Sequence, residues 1–237
     1  MTPTPIVTLS FFRFARWPAR AWALGMMGAT RAALPHVPGI GFWKLCGSGT
    51  GEGFTPRPNW SVYAILATWT DAQAARQQIE NASIFNRYRD RAEEDWTVIL
   101  ETASARGEWS GQPFYPTGKP IDGPLAALTR ATVKPSVATR FWGRVPDISR
   151  MIGSDPNVAF KIGIGEVPLL HQVTFSIWPD TRAMAAFARE NGPHAEAIRA
   201  VRDGNWFSEE LYARFAVLGD IGTWEGASPL DKLKVPA

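Results

Sequence analysis

The sequence predicts an α+β protein made of two ferredoxin-like modules in tandem, whose antiparallel sheets pack together as a barrel of the dimeric α/β type. Two internal similarities predict the duplication. Residues 69–71, Trp-Thr-Asp before a helical pattern, recur as Trp-Pro-Asp at 178–180, 109 positions later. The segment 94–109 recurs at 209–224, 115 positions later. A repeat of this length constrains the whole architecture, because each copy must be one structural unit.

The first copy has the order β-α-β-β-α-β, which is that of a ferredoxin-like module. β-Branched and aromatic residues predict strands at 6–14, 41–48, 60–69 and 96–105. Helical spacing predicts a helix at 18–34, ended by prolines, and another at 71–80 with a further turn through 91.

The second copy repeats this order. We expect its strands at 128–141, 157–166, 170–178 and 211–218, with helices at about 146–152, after Asp180 and from His194. Upstream, Trp43-Lys44-Leu45 aligns with Phe160-Lys161-Ile162, 117 positions later. The predicted organisation is module 1 at 1–112, a Gly/Pro-rich linker at 113–124, module 2 at 125–226 and a tail at 227–237.

Composition narrows the class of protein. The chain of 237 residues is 45% hydrophobic and 20% charged, as is typical of a globular protein. A net charge of +3 without a Lys/Arg run argues against nucleic-acid binding. Eleven Trp and thirteen Phe suit either a large core or a flat, apolar ligand. The longest apolar runs are shorter than a membrane-spanning helix, and we expect a cytoplasmic protein.

Cys46, the single cysteine, excludes an internal disulfide and a cysteine-rich zinc site. We interpret it as a buried strand residue, with a thiolate iron ligand as the alternative. The glycine-rich segment 47–53 lacks the spacing of a nucleotide-binding loop and is interpreted as a tight turn. No G-x-S-x-G motif or paired-carboxylate arrangement supports hydrolytic chemistry.

His194 is the residue around which we place the candidate site. It follows Pro193, a favoured first helical residue, and shares an apolar helical face with Ile198. A helix N-terminus disfavours imidazolium, so the ring would stay neutral and able to bind a metal. The alternative is a core histidine hydrogen-bonded to a carbonyl. In the first copy, Phe85 occupies the corresponding position.

The other two histidines give no ligand cluster. His36 lies between prolines and is interpreted as a surface residue, and His171 begins a strand and could line a pocket or support another site residue. No spacing typical of a multi-ligand metal site is present. A macrocycle that supplies most of the ligands itself requires one protein donor, so a single inward histidine is compatible with haem.

Three blocks, FWKLCGSGTGEGFTPRPNW (42–60), TASARGEWSG (102–111) and FARENGPHAEAIRAVRDGNWFSEELYARF (187–215), closely resemble the spheroidene monooxygenase family. The resemblance extends from Val7 to about Leu230. It implies a carotenoid 2-ketolase that uses O₂ and reduced ferredoxin, with haem as cofactor, to convert the C-2 methylene of spheroidene-type acyclic carotenoids to a ketone. Two successive hydroxylations and loss of water would give that product.

With this resemblance, His194 becomes the expected axial ligand of a haem iron. Tandem and dimeric ferredoxin-like haem proteins, such as chlorite dismutase and aldoxime dehydratase relatives, similarly place an axial histidine on a helix. Phe175, Phe187 and Ile198 complete the predicted cofactor-binding set. Arg140, which we place on the first strand of module 2, is the predicted catalytic residue, because an arginine there could hydrogen-bond to oxygen or pair with a haem propionate. The alternative is an exposed arginine at the end of a strand.

Two other functions remain open. One is a haem enzyme of the same scaffold with a different small substrate, dehydratase-like or peroxidase-like, since a histidine ligand favours O–O cleavage less than a thiolate. The other is a non-catalytic haem or apolar-ligand carrier. A carotenoid substrate also suggests peripheral membrane contact through Arg16, Trp17, Arg20 and Trp22, with the two tryptophans as core residues being the alternative. The sequence leaves the oligomeric state open.

Overall fold

The eight strands described by the computed structural model close into a single antiparallel barrel. The model describes residues 6–51, 55–143, 157–189 and 206–233. Around the barrel the strand order is β1-β3-β2-β6-β7-β5-β8-β4, so each half has the ferredoxin-like arrangement and edge strands of the two halves pair with each other. The predicted fold class is therefore confirmed.

The first half follows the predicted order closely. Its elements are β1 (Ile6–Arg13), α1 (Trp17–Ala33), β2 (Ile40–Gly49), β3 (Pro58–Trp69), α2 (Ala72–Asn81), α3 (Ser83–Arg89) and β4 (Glu94–Gly107). The second half has β5 (Leu125–Val133), α4 (described over 138–143), β6 (Phe160–Gly165), β7 (His171–Trp178), α5 (Thr181–Arg189) and β8 (Phe207–Gly222).

The predicted strand at 128–141 is wrong in its position. β5 lies at Leu125–Val133, and a short 3₁₀ turn and α4 follow. Pro135 explains the end of the strand, because a proline has no N–H for the sheet. Arg140 therefore lies on α4, where it is exposed, and not on a strand. The helix predicted at 146–152 lies outside the described residues.

The duplication is visible in matching local geometry. Asp71 Oδ1 accepts a hydrogen bond from Ala74 N at 2.8 Å, and Asp180 Oδ1 accepts one from Ala183 N at 2.7 Å, so both copies cap the same helix in the same way. The turns after β4 and β8 also match, with positive φ at Gly107 and Gly222. The offsets of 109 and 115 residues are thus confirmed.

The predicted offset of 117 for the second strands is wrong by one residue. Leu45 pairs with Ile65, and Gly163 pairs with Thr174, which is the counterpart of Ile65 at the offset of 109. The correct offset is therefore 118. Because successive strand residues point to opposite faces, this one-residue error exchanges the inner and outer residues.

Aromatic side chains fill the barrel interior. Phe11 stacks on Trp96 with ring centroids 5.7 Å apart, and Trp96 contacts Phe160 at 4.6 Å. Trp109, the counterpart of Trp224, lies with its rings against Phe42 at 6.1 Å. The chain after β8 adds Leu230 and Leu233 to the same core. The interior is thus the shared hydrophobic core of the two halves.

The two junctions between the halves differ in length. β4 and β8 pair through a long antiparallel ladder from Trp96–Gly222 to Gly107–Leu211. β2 and β6 pair at only two described positions, Gly47–Gly165 and Ser48–Ile164. The barrel is therefore firmly closed on one side and has a short junction on the other.

The beginning of α1 has one exposed and one packed tryptophan. Trp17 is 74% exposed, whereas Trp22 packs edge-on against Tyr88 with ring centroids 5.4 Å apart. Arg20 Nε donates to the carbonyl oxygen of Phe14 at 2.9 Å. Peripheral membrane contact through this segment stays a prediction. No helix in the described ranges has both the length and the apolar character needed to cross a membrane.

Replacing Gly107 by alanine should strongly destabilise the barrel. Gly107 has φ +86, and a Cβ atom there would collide with the backbone carbonyl of Glu210 on β8. We expect a loss of about 3 kcal/mol or more in the free energy of unfolding, because conformational strain and a backbone clash add. Urea denaturation measures this loss.

Gly111→Ala is the matched control. Gly111 also has a positive φ, +71, but a Cβ atom there would have no neighbour within 4 Å. The Gly111→Ala variant should therefore lose about 1 kcal/mol in the free energy of unfolding, because only the unfavourable backbone conformation contributes. Equal losses in the two variants would contradict the proposed role of close strand contact at Gly107.

Candidate functional site

The outer face of the second module's sheet is much less filled by its own side chains than the equivalent face of the first. Strand registers define the equivalent positions. In the first module this face belongs to a large buried cluster under α1, α2 and α3. At five positions the second module has a smaller or more polar residue: Phe12 corresponds to Ala131, Leu45 to Gly163, Tyr63 to Gln172, Ile65 to Thr174 and Ile99 to Arg214.

We call these five positions (Ala131, Gly163, Gln172, Thr174 and Arg214) the small-residue face, after Ala131, Gly163 and Thr174, which make its central part flat. Glycine, alanine and threonine project little from a sheet, so a flat group can approach the backbone closely. The first module uses the same volume for interlocking apolar side chains, which close-packed interiors require. The difference therefore indicates that something other than these strands' side chains occupies the space above this face.

At one edge of the small-residue face the packing is conventional. Trp178 lies on the outer side of β7 and contacts Phe187 of α5 with ring centroids 5.2 Å apart. Leu125 and Met184 are buried with them. Trp178 Nε1 donates to Ser176 Oγ at 2.9 Å, so the indole is fixed at this edge.

The predicted site residues lie in three different environments. Phe187 lies on α5 at the outer face, whereas Phe175 lies in the barrel interior against Phe160 at 6.2 Å. A flat ligand on one face of this sheet can therefore contact at most one of these two rings. Arg140 is exposed on α4. His194 and Ile198 lie outside the described residues, and the roles of all five stay predictions.

A polar site that the sequence did not predict lies at one end of the barrel. Glu166, just after β6, accepts a hydrogen bond from Trp109 Nε1 at 2.7 Å and is paired with Lys44 Nζ at 2.8 Å. Arg130 NH2 lies 3.7 Å from the same carboxylate, and Arg130 also pairs with Glu209. We call these five residues the ion cluster.

Arg130 is the most deeply buried charged member of the ion cluster. Its side chain is 1% exposed and its guanidinium lies over the Trp109 ring at 5.7 Å. Arg130 is the counterpart of Phe11 in the first module, so a charge stands where the other half has a ring. The burial of Arg130 could have been predicted from the sequence, because this arginine falls at an inward position of an otherwise apolar strand.

The two carboxylates of the ion cluster are held ionised. Burial alone would raise the pKa of Glu166, but hydrogen bonds from Lys44 and Trp109 outweigh it and lower the pKa below its usual value. Burial opposes ionisation of Glu209 also, and backbone hydrogen bonds from the Ser110–Gly111 turn together with Arg130 lower its pKa. Both groups are therefore structural anions at neutral pH.

Cys46 is not suited to bind iron as a thiolate. It is fully buried in the barrel core, and burial, with the nearby Glu166 charge second, raises its thiol pKa far above the usual value. The prediction of a buried strand residue is therefore confirmed. His36 is exposed, and His171 Nδ1 lies 3.5 Å from Glu166 Oε2. Among the described residues no group of three or more His, Cys, Asp or Glu side chains could hold a metal ion.

Replacing Glu166 by glutamine should destabilise the protein by about 3 kcal/mol at pH 7, because it removes the carboxylate paired with Lys44 and one of the two carboxylates that face the buried Arg130. The pKa of Glu166 is lowered in the folded state, so its stabilising contribution is present above the unfolded pKa and is lost as the pH falls. The difference between wild type and variant should therefore shrink below pH 4.

Urea denaturation from pH 7 to pH 3 measures that difference, with Glu80→Gln as the control at an exposed helix position. The control should change the free energy of unfolding by less than about 0.5 kcal/mol. A Glu166→Gln effect that does not vary with pH would contradict the assignment of an ionised carboxylate.

Solved structures confirm the fold. The chain superposes on aldoxime dehydratase with a TM-score of 0.60 and 10% sequence identity, over 90% of this chain and 81% of that one. A second aldoxime dehydratase structure, crystallised with butyraldoxime, gives a TM-score of 0.59 at 9% identity. At these identities the likeness shows a shared architecture and leaves the reaction open.

Sequence comparison identifies the family. No protein-family model matches the chain. It is 55% identical over 227 residues to a spheroidene monooxygenase of Cereibacter sphaeroides, covering 94% of this chain and 70% of that protein. It is 51% identical over 230 residues to that of Rhodobacter capsulatus, covering 95% of each, and 37% identical to that of Rubrivivax gelatinosus. The chain is thus an oxidoreductase that belongs to the spheroidene monooxygenase family.

Proposed function

We propose that this enzyme is a haem-dependent monooxygenase that introduces a keto group at C-2 of spheroidene-type acyclic carotenoids, with O₂ and reduced ferredoxin as co-substrates. The observation that carries the proposal is the 51–55% identity to two proteins named spheroidene monooxygenase over nearly the whole chain. Conversion of a methylene to a ketone by two hydroxylations consumes two O₂, four electrons and four protons and releases three waters. The external electron donor is therefore an obligatory partner.

The small-residue face is the place that we propose for the haem. A porphyrin is flat and apolar over most of its area, and we expect it to lie against Ala131, Gly163 and Thr174, whose own side chains are short. The first module has Phe12, Leu45 and Ile65 at these positions, which fill the equivalent space. This contrast supports a cofactor in the second module and explains why only that copy carries the histidine.

His194 is the residue that would hold the iron, and the haem would supply the redox centre at which O₂ is activated. The chain's own contribution is positional. The small-residue face would limit where the macrocycle lies, and Trp178 with Phe187 would form an apolar edge that keeps water out. Arg214, exposed on β8, would be a cation for pairing with a propionate.

An absorption spectrum tests the cofactor. We expect the protein purified from haem-supplemented cells to show a Soret band, and His194→Ala to reduce that band by at least about tenfold, since it removes the axial donor. His36→Ala, at an exposed histidine, is the control and should keep the band. A Soret band unchanged in His194→Ala would overturn the ligand assignment.

The same preparation tests the reaction. Spheroidene, reduced ferredoxin and O₂ should give a product in which two hydrogens are replaced by one oxygen, a mass gain of 14 Da. A haem protein without this product, under reducing conditions, would favour the dehydratase-like or peroxidase-like alternative. A protein that binds neither haem nor carotenoid would exclude the carrier alternative as well.

Filling the small-residue face tests the location. Thr174→Phe should lower the haem-to-protein ratio to below about half of the wild-type value, because an added ring overfills a shaped site. Thr174→Val keeps the volume and should leave the ratio unchanged. Thr174 is only half-buried, so the thermal midpoint should change little in either variant. Equal haem content in Thr174→Phe and wild type would place the cofactor elsewhere.

A further inference from the structure

A groove of about 280 Å³ runs outside the barrel along the short junction between the two halves. It lies where β2 and β6 pair, and its floor includes Gly47, Gly49 and Gly165. α1 of the first module borders one side, and Trp142 of α4 borders the other. We call this the seam groove. Gly47 helps to keep the groove open, because a Cβ atom there would meet nothing within 4 Å.

Part of the seam groove wall is apolar and exposed to solvent, beside charged residues that include Glu166. Leu24 is 49% exposed, Trp60 51%, Val167 41% and Leu169 43%. These four account for more than half of the large hydrophobic side chains that are exposed in the described part of the chain. Exposed apolar side chains collected in one concave place are typical of a binding site for an apolar ligand.

One polar group in the seam groove lacks a partner. Tyr63 lines the groove, its residue is 4% exposed, and its buried hydroxyl makes no hydrogen bond. A buried hydroxyl without a partner costs free energy, which a ligand oxygen can recover. Burial raises the pKa of Tyr63, so the phenol keeps its proton at neutral pH and can donate it to an acceptor oxygen.

The seam groove adjoins the small-residue face. Gln172 belongs to both, since it is an outward residue of β7 and also lines the groove. Gly165 lies next to it on β6. An elongated molecule lying in the groove would therefore have one end beside the face where the cofactor is proposed.

We propose that the seam groove binds one end of an elongated polyene and that Tyr63 donates a hydrogen bond to an ether or other neutral oxygen at that end. Resting on the proposed function, this makes Tyr63 the residue that selects the methoxy-bearing end of spheroidene over a plain hydrocarbon end. The apolar walls hold the chain, and the single phenol distinguishes the two ends. Arg31 and Arg57 also line the groove and make a fatty-acid carboxylate the competing occupant.

Equilibrium binding tests the proposal without turnover. The purified full chain is titrated, without electron donor, with spheroidene and with lycopene, an acyclic carotenoid that lacks oxygen. Tyr63→Phe should weaken spheroidene binding about fivefold, the value of one neutral hydrogen bond, and leave lycopene binding unchanged. Tyr115→Phe, at a tyrosine that is 66% exposed and does not line the groove, is the control.

A second variant tests the groove itself. A Cβ atom at Gly47 meets nothing within 4 Å, so Gly47→Leu should fill the groove without disturbing the fold and weaken both carotenoids more than tenfold. Gly25→Leu, with equally free space on α1 and no place in the groove, is its control. Thermal midpoints verify that all four variants are folded.

Two results would overturn the inference: an unchanged ratio of spheroidene to lycopene affinity in Tyr63→Phe, or carotenoid binding that Gly47→Leu leaves intact. Palmitate that binds more tightly than spheroidene, and loses affinity in Arg57→Gln, would identify a fatty acid as the occupant instead. Because these affinities need neither haem nor O₂, a failure of turnover with normal selective binding refutes the proposed function alone. Turnover by the wild type, together with a Tyr63→Phe variant that keeps the wild-type ratio of spheroidene to lycopene affinity, refutes this inference alone.

Discussion

The long pairing of β4 with β8 is the interaction on which the barrel depends. It joins the edge strands of two modules that each have one apolar sheet face to bury, and it continues to the turns at both ends. There, each module's turn donates a backbone N–H to a glutamate of the other: Gly226 N to Glu94 Oε1 at 2.7 Å, and Gly111 N to Glu209 Oε1 at 3.0 Å. The two halves are thereby fixed in one register, and the aromatic interior follows from it.

The two halves of the barrel have the same fold but differ at the surfaces where a ligand could bind. The interior is filled by rings, which leaves the outer faces and the junctions as places for a ligand. The first module packs its outer face with large apolar residues, while the second keeps it flat and partly polar. The short β2–β6 junction opens a groove, whereas the long one is closed. The first module therefore contributes mainly packing, and the second module has the sheet face on which we place the candidate site.

Much of the fold could be predicted from the sequence because a repeat reports on topology directly. Two of the three offsets were right, since tryptophan, aspartate and glycine mark fixed points such as a helix cap and a positive φ. The third offset, that of the second strands, was wrong because these strands contain no such marker. Since side chains alternate between the two faces of a strand, the one-residue error exchanged the inward and outward residues. The predicted position of β5 was too far along the chain, because the apolar pattern continues through Phe141 and outweighed Pro135, which ends the strand.

The ion cluster could not be predicted because its members lie far apart in the chain. Lys44, Trp109, Arg130, Glu166 and Glu209 are on different strands or turns and meet only when the barrel closes. Each one looks like an ordinary surface or core residue in its local sequence. By contrast, a histidine at a helix start is a local signal, so sequence reasoning favours it whatever the tertiary surroundings are.

Covalent fusion of the two modules has a genetic consequence. In a homodimer of single modules, every substitution appears twice, so a change that opens space for a ligand on one sheet also removes packing from the other. In this chain Phe12 and Ala131 are separate codons, as are Ile65 and Thr174. One half can thus carry little side-chain bulk on this face while its twin keeps the packing that holds the molecule folded. In a tandem fusion, substitutions that affect a ligand site and substitutions that affect stability can therefore fall on different residues.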